Sequence, residues 1–122
     1  MNAIEKAILR HTVRPKVLSD DGERLVLTSA AAKFLPGENA REGIERCIRM
    51  LPGVEEAAVD SAKGLTVSYN IAEVNRDGIL QWVDTLMETA LNAADTRDMT
   101  KLSADEIEAL GREALTSFRQ RA

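Results

Sequence analysis

The sequence predicts an α+β fold, an antiparallel sheet with two helices on one face, and three observations predict it. Two stretches of alternating apolar residues each break at turn chemistry, Asp20-Asp21-Gly22 and Ser61-Ala62-Lys63-Gly64, the mark of a hairpin. Between and after these hairpins, apolar residues recur every three or four positions, as on helices with one buried side. A chain of 122 residues, 44% apolar and 30% charged, suits a single core and argues against disorder.

Residues 2–10 place Ile4, Ala7 and Ile8, followed by His11, at helical intervals, so a short amphipathic helix is expected to dock there. Residues 13–18 read as extended, and Pro15 directs them to a sheet edge. Past the first turn, residues 23–29 form the next strand, with Leu25 and Leu27 on one face. Pro36-Gly37-Glu38-Asn39 is a loop in which Asn39 caps a helix over 40–50, its inward stripe being Ile44, Cys47, Ile48 and Leu51. Leu51-Pro52-Gly53 ends that helix, since proline disfavours helical geometry in the residue before it and glycine permits the turn. Residues 54–60 and 65–70 are strands, with Leu65, Val67 and Tyr69 alternating cleanly. Asn75 caps the next helix, and Asp77 meets the positive end of its dipole. The face expected to be buried is Ile79, Leu80, Val83, Leu86, Met87, Ala90 and Leu91, which leaves Trp82 on the outer side, suited to an interface or to packing under a terminal helix. Residues 95–102 are a polar break. Ser103-Ala104-Asp105-Glu106 is then a capping box that starts a last helix over 104–119, with Ile107, Leu110, Ala114, Leu115 and Phe118 along its apolar side.

Ile44-Glu45 with Ile48, then Leu51-Pro52-Gly53-Val54, then Val59-Asp60, Gly64, Val67 and Tyr69-Asn70, resembles the heavy-metal-associated (HMA) domains of copper chaperones and metal-pumping ATPases. The likeness covers roughly residues 24–90, and its most specific piece is the helix-to-turn segment. It implies a ferredoxin-like antiparallel sheet. In that family a Gly-Met-Thr-Cys-x-x-Cys loop precedes the helix, and counting back from Ile44 puts its two thiolates at Gly37 and Ala40. Neither supplies a ligand for the soft metal that such a pair holds. The chain therefore looks like a cysteine-less variant that has lost its metal motif. The family's fourth strand has no counterpart after the second helix, and the strand at 13–18 is expected to fill its place beside the first. This divides the chain into an N-terminal amphipathic helix (1–11), an HMA-like domain (12–94), and a linker with a C-terminal amphipathic helix (95–122), the last packing on its own domain or on another chain.

The net charge of −4 is uneven: Lys6, Arg10, Arg14 and Lys16 stand against Glu5 in the first 18 residues, a net +3, and the remainder carries −7. An acidic body with 3% aromatic content offers neither the cationic face nor the stacking rings that nucleic acid requires. No apolar run approaches the ~20 residues that cross a bilayer, and residues 1–16 lack a secretory signal, so a cytoplasmic location without membrane contact is expected. The single cysteine agrees with a reducing compartment. No nucleophile-and-base pair, carboxylate pair or phosphate loop is recognisable, so neither an enzyme nor a cofactor is expected. Cys47, Met50 and His11 are the side chains whose chemistry suits a metal, but Cys47 falls on a packed stripe and His11 on a helix end. Asp20, Asp21 and Glu23 read as hairpin chemistry before a cation site. The function expected is a non-catalytic interaction module, contacting a protein partner or a second copy through Trp82, Ile107, Leu110, Leu115 and Phe118. The alternatives are metal or metallocofactor handling through Cys47, Met50 or His11 shared with a partner, and an accessory subunit or regulator that binds a small ligand.

Overall fold

A computed structural model describes residues 3–5, 7–8, 15–28, 37–60 and 64–121. Strands β1 (Val17–Asp20), β2 (Arg24–Leu27), β3 (Val54–Asp60) and β4 (Gly64–Tyr69) form one sheet in the order β1-β2-β4-β3. Every neighbouring pair is antiparallel. Helices α1 (Glu38–Ile48), α2 (Arg76–Ala93) and α3 (Ala104–Arg121) complete the architecture, with one 3-10 turn at Met99–Lys101. Residues 3–5 and 7–8 are helical.

The sheet has one dry face. Leu25, Leu27, Leu65, Val67, Tyr69, Ala57 and Val59 alternate onto it and form one cluster with Ile48 and Leu51 of α1 and its exit turn, and with Ile79, Trp82 and Val83 of α2. Arg24, Glu56 and Ser68, and above them Val26, Thr66 and Ala58, share the opposite face, where none of them is buried by a described helix. The strand expected at 13–18 runs instead over 17–20, and residues 13 and 14 lie outside the described region. Its C-terminal end is extended because the Asp20 carboxylate accepts from Gly22 N at 3.0 Å and from the Tyr69 hydroxyl at 2.7 Å, a tertiary tie across the sheet. As expected, this N-terminal strand lies at the edge beside β2.

Helix α1 starts two residues earlier than expected, with Gly37 at its cap and no side-chain cap bond from Asn39. Gly37 has φ 112° and ψ 161°, a backbone region essentially restricted to glycine, and this conformation sets the entry angle of the chain. The other two caps follow the sequence: Asn75 accepts from Gly78 N at 2.9 Å. Ser103 and Glu106 bond reciprocally at 3.2 and 3.1 Å.

Of the two places left open for the last helix, α3 takes its own domain and lies across both α1 and α2. Ala114 is fully buried in the main cluster, with Leu115 and Phe118 packed against it. Ala40, Cys47 and Ile107 form a second cluster at the α1–α3 seam. Glycines at the seam set its closeness. A methyl added at Gly43 would stand 2.7 Å from Ile107 Cβ, and one at Gly111 would stand 2.5 Å from Cys47 Sγ. Arg46 bridges the two helices on the wet side, reaching Glu42 at 2.7 Å, Asp105 at 2.9 Å and Glu108 at 3.3 Å.

Candidate functional site

Trp82, placed by its spacing on the outer side of α2, is the largest buried side chain, and of the two roles left open for it, an interface or packing under a terminal helix, it takes the second within this chain. A helix between a sheet and a second helix layer is buried on two sides, so its apolar stripe is broad enough to include position 82. The indole N–H donates to the Cys47 carbonyl at 3.2 Å, a second donor beside the Met50 N–H that closes the last turn at 3.2 Å, and so ties the buried ring to the end of α1. Phe118 of α3 meets the ring edge-on, centroids 5.4 Å apart at 68°. Ile107 and Leu110 are likewise buried. Of the five residues expected to form a contact surface, Trp82, Ile107 and Leu110 are buried in this chain, and Leu115 and Phe118 are half-buried against its core.

Cys47 is buried, and its thiol donates to the Ile107 carbonyl at 3.3 Å. Burial, then the negative charge of Glu108, pushes the thiol up to about 11, so it stays protonated and unreactive at neutral pH. Met50 Sδ also faces Gly111, which places both sulfurs at the helix seam. His11 lies outside the described residues, and among those described no group of three or more His, Cys, Asp or Glu side chains converges as a metal site. In the first hairpin, Asp20 serves Gly22 and Tyr69, while Asp21 accepts from Glu23 N at 2.9 Å and Arg24 N at 2.7 Å. Two of those three carboxylates are thus spent on the turn.

Tyr69, Asp20 and Arg76 form a polar relay where β4, β1 and α2 meet, with Arg76 Nη1 3.9 Å from Asp20 Oδ2. The hydroxyl's hydrogen bond to Asp20 holds the carboxyl below its ordinary range. The same bond, with burial, pushes Tyr69 up to about 12. A phenol so held keeps its proton, which fits a structural tie and not a base.

Beside this relay, at one end of the sheet, a groove of about 740 Å³ opens. Its walls carry Asp21 and Glu23 from the first turn, Glu55 and Glu56 from β3, Arg24 from β2, and Ile71 after β4. Glu23, Glu55 and Glu56 make no ion pair with any described residue. The remaining exposed large apolar residues, among those described, are Ile4 (72% exposed), Ile8 (63%), Leu18 (60%) and Val17 (40%), alongside Ile71 itself (65%). The sequence reading missed this groove because its walls come from three separated segments. It also missed Gly43 and Gly111, although isolated glycines inside helical patterns are a packing signal.

In comparisons with known proteins, no family model, no curated protein and no solved structure matches this chain. No described helix is long and apolar enough to cross a membrane.

Proposed function

We propose that the chain is a non-catalytic protein-interaction module on a ferredoxin-like, HMA-like sheet, working through its N-terminal segment and the uncovered sheet face. One observation carries the reading: four of the five exposed large apolar side chains among the described residues fall between positions 4 and 18. The apolar side of α3, by contrast, is consumed by its own domain. Exposed apolar residues gathered in one segment are the usual sign of a surface that is covered in use.

Three features support the loss of thiolate metal binding. Position 37 has a backbone that an L-cysteine adopts only under strain, position 40 is buried beneath Ile107, and Cys47 is a protonated core thiol. Handling of a metal through Cys47, Met50 or His11 gains no support from the surroundings of Cys47, whose thiol is buried and donates to the Ile107 carbonyl.

The test is a triple variant, Ile4→Ser, Ile8→Ser and Leu18→Ser, compared with the wild type for the mass of its native assembly and for co-purifying protein. The expected result is loss of association with an unchanged circular dichroism spectrum and melting curve. Association that survives intact in the variant would count against the reading.

A further inference from the structure

Resting on that reading, we propose that the occupant of the acidic groove is the N-terminal segment of a second copy of this chain. The groove and the segment match in two independent ways. Asp21, Glu23, Glu55 and Glu56 against Arg24 give the groove walls a net −3. Lys6, Arg10, Arg14 and Lys16 against Glu5 give residues 1–18 a net +3. Ile71 stands in the groove wall as an exposed apolar contact, while Ile4 and Ile8, four residues apart and both on helical backbone, are two exposed apolar residues of the segment. Such spacing is how an amphipathic helix seats its anchors in a groove, and the cationic sequence of the segment is opposite in sign to the acidic walls.

The occupant comes from another copy because the described apolar anchors of the segment are not seated within one chain: Ile4 and Ile8 remain 72% and 63% exposed. Reciprocal exchange about a two-fold axis uses each segment and each groove once per chain and doubles the buried area, closing the assembly at two. The acids have a reason to stay unpaired in a single chain, since uncompensated like charges steer a cationic partner toward the groove.

Charge reversal on both sides tests this in the full chain. Sedimentation velocity in 0.1 M salt is expected to give the mass of two 13.4 kDa chains, with dissociation promoted at 0.5 M salt. Lys6→Glu with Arg10→Glu, or Glu55→Lys with Glu56→Lys, should each raise Kd roughly tenfold or more. The two pairs combined in one protein should restore association, because every contact then regains an opposite charge. A monomer at all concentrations, or a dimer indifferent to both reversals, overturns the proposal. A monomer that still holds a different protein through Ile4 and Ile8 overturns the second copy alone and leaves the interaction module standing; a monomer that holds nothing overturns both.

Discussion

Replacing Gly111 by alanine tests whether close approach holds α3 on α1. On an ordinary helix the change adds about 1 kcal/mol, because glycine is the poorer helix former. Here the new methyl would stand 2.5 Å from Cys47 Sγ, 3.1 Å from Cys47 Cβ and 3.2 Å from Met50 Sδ. Cys47 is short and buried, so it has little room to swing aside. Overpacking of a filled seam costs ~1–3 kcal/mol, which outweighs the propensity gain and leaves a net loss of about 1 kcal/mol. Cys47→Ala removes the sulfur, and in that background the same methyl should recover part of the gain. The resulting double-mutant cycle should show a coupling of about 1–2 kcal/mol. Urea unfolding followed by the fluorescence of Trp82, the single tryptophan, measures all four proteins. Alkylation at pH 8 gives a second readout, since a thiol pushed up to about 11 should react in the unfolded chain and resist in the folded one. If Gly111→Ala stabilises the wild type by about 1 kcal/mol, or if the cycle is additive, the close crossing is refuted.

Trp82→Ala should cost ~3–5 kcal/mol in the same unfolding assay, now followed by circular dichroism. Trp82→Phe should cost less, about 1 kcal/mol beyond the lost area for the indole hydrogen bond, since the Cys47 carbonyl keeps the Met50 N–H and is not left unsatisfied. The Asp20–Tyr69 tie predicts two pH windows in stability. Unfolded tyrosine loses its proton near the ordinary 10.0 and folded Tyr69 near about 12, so this contribution is complete below pH 10 and lost as pH rises between the two. Asp20 is held below 3.8, so its contribution is complete above that value and is lost as pH falls from there through the lower value of the folded state. Tyr69→Phe should flatten both windows in melting curves recorded against pH, and unchanged pH profiles would remove the tie.

Much of the sheet was legible because alternation and turn chemistry are local properties. Val54–Asp60 is where its pattern placed it, and the edge position of the N-terminal strand followed from hairpin connectivity. The caps at Asn75 and Ser103 were legible for the same reason. What escaped depends on a third layer. A helical stripe tells which side of α2 faces one neighbour, so it left Trp82 between an interface and packing under a terminal helix, and only the position of α3 decides for the second. Of residues 2–10, expected to dock, the described Ile4 and Ile8 remain 72% and 63% exposed. The Asp20–Tyr69 bond joins residues 49 apart, beyond the reach of any local pattern.

The two rims of the sheet are not alike. At the outer rim of β3, Glu45 reaches from α1 to accept the Val59 N–H at 2.9 Å, and Glu55, Glu56 and Asp60 stand exposed along the same strand. A strand arriving there would meet an occupied donor and a row of carboxylates. The β1 rim carries Val17 and Leu18 and has no comparable guard among the described residues. Strand addition to this molecule is therefore one-ended: two chains joined rim to rim would present only guarded rims, so the route to an endless cross-β ribbon stops at its first step.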